Sequence, residues 1–257
     1  MREALIGHSG FVGANLARQH AFSDLFNSRN IEEIAGHAFD RVVCAAAPGV
    51  KWLANQKPEE DRAAIDRLMR ALRHVETGCF VLISTVDVYP DPVLVDESHA
   101  IDPTDLSPYG RHRRELELFA ESVFGANILR LHGLFGRGLK KNVIYDFLHD
   151  NQLDRIVPGS RYQFYDLANL WSDVKKTIEH GIPLLNLATE PVSVAELAGH
   201  VFGREIQDPH VAAPASYDFR SRHDHLWAGS NGYLYDRMQV LTAMRMFVAA
   251  EQERLER

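Results

Sequence analysis

Gly7, Gly10 and Gly13 recur at spacing G-x-x-G-x-x-G in the run Gly7-His8-Ser9-Gly10-Phe11-Val12-Gly13. The run lies between the short apolar segment Glu3-Ala4-Leu5-Ile6 and a helical stretch from Val12 to Gln19. Each glycine has its own use: the first permits a tight turn, the second lets a pyrophosphate approach the backbone, and the third lets helix and strand pack closely. The phosphates would then rest on the N–H groups of the helix N-terminus, where the dipole favours anions. The spacing predicts a dinucleotide site on Gly7, Ser9, Gly10, Phe11, Val12 and Gly13. About 20 residues further on, an acid would bind the ribose 2′-hydroxyl and select NAD. That position holds Asn27, followed by Ser28-Arg29, and Asp24 falls earlier in the strand. Arginine can pair with a 2′-phosphate through its fork of donors. NADP is therefore expected, with NAD as second choice, and Asn27, Ser28 and Arg29 join the cofactor set.

Other chemistries find little support. His223-Asp224-His225 offers two imidazoles and one acid at short spacing, too few for a metal site, so no metal is expected. Gly7-His8-Ser9-Gly10-Phe11 lacks the closing glycine of a serine nucleophile elbow. Cys44 and Cys79 are too few for a disulfide framework and fall in apolar runs, where cysteine behaves as a small hydrophobe. A reducing cytoplasm is the expected compartment. The chain opens Met1-Arg2-Glu3 with no secretory signal pattern, and no apolar run approaches the ~18 residues of a membrane span. With 28 Lys and Arg against 35 Asp and Glu, the net charge is −7. That sign disfavours a phosphate-tracking surface, so nucleic acid is not an expected partner.

The elements that must position the glycine turn follow from hydrophobic pattern. Further strands are expected at Ser23–Phe26, Arg41–Ala47, Cys79–Ile83 and Asn127–Leu131, with little polar alternation. Between them lie a short helix at Ile31–Ala35 and longer ones at Pro58–Val75 and Pro108–Val123. Apolar strands alternating with helices imply a parallel sheet covered on both faces, a doubly wound α/β fold of the Rossmann type. After about Gly136 the regularity fades into helices at Val143–Leu148, Leu167–Ile178, Val194–Phe202 and Leu234–Ala250, with a strand at Leu184–Leu187. Residues 1–140 are expected to form the dinucleotide-binding domain. Residues 141–257 would form a small C-terminal substrate cap that shares the core and partly returns to the sheet.

Two further segments, Ser84-Thr85-Val86-Asp87-Val88-Tyr89 and Ser107-Pro108-Tyr109-Gly110-Arg111-His112-Arg113, complete a resemblance with the glycine turn. Together they resemble the extended short-chain dehydrogenase/reductases, the NAD(P)-dependent epimerase/dehydratase family acting on nucleotide sugars, with segments S-[ST]-x-x-V-Y and P-Y-x-x-x-K. Asn186 to Ala198 looks like a late segment of that family, so the resemblance spans about residues 3–202. It implies that Tyr109 is the catalytic acid–base and that Thr85 donates a hydrogen bond to the substrate oxygen. It also places Ala45, Ala46, Ala47, Ser84, Tyr109, Arg113 and His132 near the cofactor, and a homodimer is implied through the helices at 58–75 and 108–123. The position four after Tyr109 holds Arg113 where the family has lysine. Arginine keeps the charge that would favour a tyrosinate but cannot relay a proton. The 4,6-dehydratases of the family carry S-T-D-E-V-Y, and here Val86 replaces the Asp while Asp87 alone keeps an acid. Asp87 is read either as a ligand of a sugar hydroxyl or as a structural turn acid, and the expected reaction is reduction or epimerisation of a nucleotide-activated sugar. The rival is a cofactor-binding protein without turnover, a sensor or scaffold, which the Arg113 departure keeps open.

Overall fold

The protein is described by a computed structural model that covers residues 1–208 and 212–256. Its chain divides into two compact units, each discontinuous in sequence. Met1–Asp91, His99–Leu131 and Ala168–Leu185 form the first, and Pro92–Ser98, His132–Leu167 and Asn186–Arg257 the second. A break near residue 140 was expected, with the part after it partly returning to the sheet; Ala168–Leu185 belongs to the first unit, and Pro92–Ser98 belongs to the second.

The first unit is built on β1 (Glu3–Ile6), α1 (Phe11–Gln19), β2 (Asp24–Phe26), β3 (Arg41–Cys44), α2 (Lys51–Gln56), α3 (Pro58–Leu72), β4 (Phe80–Thr85), α4 (Pro108–Phe124), β5 (Asn127–Leu131), α5 (Leu170–Glu179) and β6 (Leu184–Asn186). The sheet order is β2-β1-β3-β4-β5-β6. From β2 to β5 the neighbours pair parallel, with Ile6 opposite both Phe26 and Cys44, Cys44 opposite Leu82, and Thr85 opposite Leu131. Ala4, Leu5, Ile6, Val42, Val43 and Cys44 are fully buried, as a parallel sheet covered on both faces requires. Ile65, Leu68 and Leu72 of α3, with Leu116 and Ala120 of α4, complete the core around them. Order reverses at β1, which sends the chain to β2 on one side and has β3 on the other. A crevice at the carboxyl ends of the strands, beside such a reversal, is where doubly wound sheets bind ligands.

Several boundaries differ from those the pattern predicts. The third strand ends at Cys44, so Ala45–Ala47 run past the sheet as loop, although Ala45 N–H still donates to Ile6 O at 2.8 Å. Ile31–Ile34 is a 3-10 turn, and α5 begins at Leu170 after another such turn at Leu167–Asn169. In the second unit, helices Val143–Leu148, Val194–Phe202 and Arg237–Leu255 enclose Phe135, Phe147, Phe164, Leu197 and Met244. The last of these starts at residue 237 because Asp236 caps it, in a box with Gln239. Among the described residues, no helix is long and apolar enough to cross a membrane.

Candidate active site

The glycine turn joins β1 to α1 with the geometry its spacing predicts. Gly7 takes φ +89°, a conformation glycine tolerates best, and a Cβ there would lie 2.4 Å from Ala45 O. At Gly13 a Cβ would come within 2.1 Å of Gly7 O, so the third glycine is what lets α1 pack onto the turn. Gly10 is different: its Cβ would meet only Gly7 O, at 3.3 Å, so that side of the turn is open. It is also the N-cap of α1 and supplies no side-chain acceptor to the first-turn N–H groups. An open backbone with uncapped donors at a helix N-terminus fits a pyrophosphate.

At the end of β2, Asn27 is woven into the loop. Its Oδ1 accepts from Arg29 N at 2.9 Å, and its Nδ2 lies 3.0 Å from His8 Nε2. Asp24, at the opposite end of the strand, is held by Arg2 through Nε (3.0 Å) and Nη2 (2.9 Å). No carboxylate therefore stands at the ribose position. Ser28 and Arg29 are exposed.

Thr85 closes β4 and caps the 3-10 turn Val86–Val88 by accepting from Asp87 N at 3.1 Å. Pro108 at the first position and Ser107 as N-cap start α4, placing Tyr109 in its first turn. Gly110 lets that turn come against Asp87, since a Cβ there would lie 2.3 Å from Asp87 O. Tyr109 and Thr85 are thereby brought together at the end of β4, where the Thr85 hydroxyl favours ionisation of the phenol. Tyr109 N–H in turn donates to Asn55 Oδ1 of α2 at 3.0 Å. Burial pushes the phenol above its ordinary pKa; Arg113 pulls it down and Asp87 pushes it up. The sequence led us to expect a cation that leaves the phenol lowered, but desolvation outweighs it.

Arg113 explains part of this. Helical spacing puts it beside Tyr109, and its guanidinium carbon lies over the ring, 4.0 Å from the centroid. The side chain is almost wholly buried and turns toward α3, where Nη2 donates to Asp61 Oδ1 at 2.8 Å and Nη1 to Asp61 Oδ2. Nη2 also donates to Pro48 O. His112 Nδ1 lies 2.7 Å from the same carboxylate. Burial opposes ionisation of Asp61, but the bonds from Arg113 and His112 outweigh it and hold the carboxyl below its usual range.

Asp87 bonds Lys51 Nζ of α2 at 2.6 Å. Ser84 donates its hydroxyl to Glu117 Oε1 at 2.6 Å. Glu117 and Arg130 form a buried bidentate pair at 2.9 and 2.7 Å under the end of β4, and Arg130 also donates to the Tyr89 hydroxyl. In the second unit, His132 Nε2 is 2.7 Å from Leu187 O, and burial lowers its pKa to about 4, so its ring is neutral near pH 7. Asp224, in the His-Asp-His run, accepts from His225 N and Gly232 N as a turn acid. Among the described residues, no group of three or more His, Cys, Asp or Glu is placed to hold a metal. Sequence reasoning missed Lys51, Asn55, Asp61, Glu117 and Arg130. The buried charges in α4 and β5 were a visible anomaly, but their partners lie far away in sequence.

Residues 19–167 match the profile of the NAD dependent epimerase/dehydratase family, a stretch that includes Thr85, Tyr109 and Arg113. No curated protein matches the chain. Among solved structures, a dTDP-4-dehydrorhamnose reductase from Clostridium acetobutylicum superposes with a TM-score of 0.73 at 16% identity, covering 98% of this chain and 100% of that one. A UDP-glucuronic acid 4-epimerase from Bacillus cereus, in complex with NAD, gives 0.72 at 16%, with 100% of both chains covered. A UDP-N-acetylglucosamine 4-epimerase from Methanobrevibacter ruminantium, in complex with UDP-N-acetylmuramic acid, gives 0.72 at 15%, covering 100% of this chain and 99% of that one. At such identities the likeness is one of fold.

Proposed function

Because the chain belongs to the NAD dependent epimerase/dehydratase family, we propose that it is an NAD(P)-dependent reductase or epimerase of a nucleotide-activated sugar. The observation that carries this reading is the close approach of the first turn of α4, which bears Tyr109, to the end of β4, where Thr85 caps the turn that holds Asp87. A bound nicotinamide would supply or accept the hydride at the sugar carbon. Tyr109 gives or takes the proton on the attached oxygen, and Thr85 orients that oxygen by a hydrogen bond. Arg113, fixed by Asp61, holds the Tyr109 ring from its face and turns one donor to the Pro48 carbonyl after β3. The pyrophosphate rests on the turn from Gly7 to Gly13, and Ala45–Ala47 lie on the other side of the strand-order reversal.

NADP is the preferred cofactor in this reading and NAD the second. It is supported by the absence of an acid at Asn27, by Asp24 being held by Arg2, and by the exposed Arg29. The relatives of known structure named above are enzymes of nucleotide sugars, which supports that substrate class. A homodimer and a reducing cytoplasmic setting belong to the same proposal. A second reading, a cofactor-binding protein without turnover, is favoured by one observation: the Arg113 guanidinium is bonded to Asp61 inside the fold. Stopped-flow oxidation of NADPH and NADH, with UDP-, GDP- and dTDP-sugars as acceptors, separates the two. Turnover that Tyr109→Phe abolishes supports the enzyme; tight cofactor binding with no turnover of any sugar supports the rival.

A further inference from the structure

We propose that Lys51, on α2, is the positioning cation of this site: bonded to Asp87, it sets the charge beside the Tyr109 hydroxyl. That task is the one helical spacing would give to Arg113. The inference rests on Tyr109 being the acid–base group. Its basis is geometric. Lys51 and Asn55 stand four residues apart on α2, one turn along the same face. Asn55 Oδ1 accepts from Tyr109 N–H at 3.0 Å, which docks that face on the start of α4. Lys51 Nζ donates to Asp87 Oδ1 at 2.6 Å. The other oxygen, Oδ2, is 3.4 Å from Thr85 Oγ1 at the end of β4, against which the first turn of α4 packs closely at Gly110. The result is a bonded run Lys51–Asp87–Thr85, with Tyr109 held against it by Asn55 and by the close approach at Gly110.

The charges around the phenol make Lys51 matter. Arg113 lies over the ring face from the same helix, with Asp61 of α3 and His112 of α4 bonded together behind it. Asp87 opposes a negative charge on Tyr109, while Lys51 favours one. Without Lys51, the Asp87 carboxylate would lose its ion-pair partner beside a buried phenol, leaving Arg113 as the cation that opposes it. Lys51 is half-exposed, so its ion pair adds little to stability and its replacement should leave the fold intact.

The test reads the ionisation of Tyr109 directly. Phenolate absorbance is titrated against pH, with and without NAD present, and the Tyr109→Phe titration in the same background is subtracted. If a chain starts to unfold in alkali, the fraction ionised is compared at the highest pH where both chains keep their native circular dichroism. Lys51→Met should move the Tyr109 midpoint up by roughly 0.5–1 pH unit, because it removes the cation paired with Asp87. Lys51→Arg should hold the natural midpoint, Asp87→Asn should lower it, and Lys51→Met with Asp87→Asn should bring it back. A role in packing alone would not produce that order of signs. A Lys51→Met midpoint that is unchanged or lower overturns the proposal. If Tyr109→Phe keeps sugar turnover, the acid–base reading fails instead, and the order of midpoints is unaffected.

Discussion

Replacing Arg113 with Lys would restore the residue that the family carries at this position, and the structure says what it would cost. The guanidinium makes two bonds to Asp61, one to Pro48 O, and stacks on Tyr109 at 4.0 Å. A lysine ammonium could keep one bond to the carboxylate but neither the fork nor the stacking. Losing one charge-assisted bond costs about 1.5–3 kcal/mol, and the stacking adds ~1 kcal/mol. Arg113→Lys should therefore destabilise the chain by ~2–4 kcal/mol in urea unfolding at pH 7. Arg113→Met should cost more, about 3–5 kcal/mol, because Asp61 is left buried with only His112 for a partner. In a double-mutant cycle with Asp61→Leu, the two changes should fall short of additivity by ~2 kcal/mol or more. The pH dependence has a definite sign. Asp61 is lowered in the folded state, so its stabilising contribution is present above the ordinary aspartate pKa and lost as pH falls through the folded value. The deficit of Arg113→Met should accordingly shrink below about pH 4. Full stability in Arg113→Lys, or strict additivity in the cycle, would refute the assignment of Arg113 to Asp61.

Three further outcomes are expected. Gly10→Leu should abolish dinucleotide binding by calorimetry while leaving the melting temperature nearly unchanged, because a side chain there enters the open face of the turn; unaltered affinity would remove the site. Arg29→Ala should weaken NADP by about 1.5–3 kcal/mol and spare NAD, whereas tighter binding of NAD by the natural chain would contradict the reading of Asn27 and Arg29. His132, lowered to about 4, is a group whose stabilising contribution is present above the ordinary histidine pKa and lost as pH falls toward the folded value. His132→Gln should therefore flatten the fall in urea midpoint between neutral and mildly acid pH, by at most about 3 kcal/mol; an unchanged slope would show that His132 is protonated without cost.

What could be read from the chain was local. The strand, glycine turn and helix at residues 3–19 are contiguous, and their hydrophobic pattern, spacing and position agree. Tyr109 and Thr85 were legible because short segments around them resemble known ones. Asn55 and Lys51 were not, since the six residues of α2, Lys51–Gln56, are too short to show a periodic apolar face. Asp61 looked like one more acid in the first turn of α3, where Glu59 and Glu60 serve the helix dipole. Only folding brings it to Arg113, 52 residues away. A partial return of the second part to the sheet was expected, but not which segment returns, because the segment 170–179 has the same amphipathic pattern whichever unit it packs on.

The most direct test of the proposed activity is hydride transfer itself, followed as NADPH or NADH oxidation against a panel of UDP-, GDP- and dTDP-sugars with 4-keto acceptors included. The natural chain should oxidise one cofactor with at least one acceptor, and Tyr109→Phe should lower that rate by roughly 10²–10⁴-fold while binding the cofactor as tightly. An unchanged rate in Tyr109→Phe, or tight cofactor binding without turnover of any acceptor, would contradict the assignment.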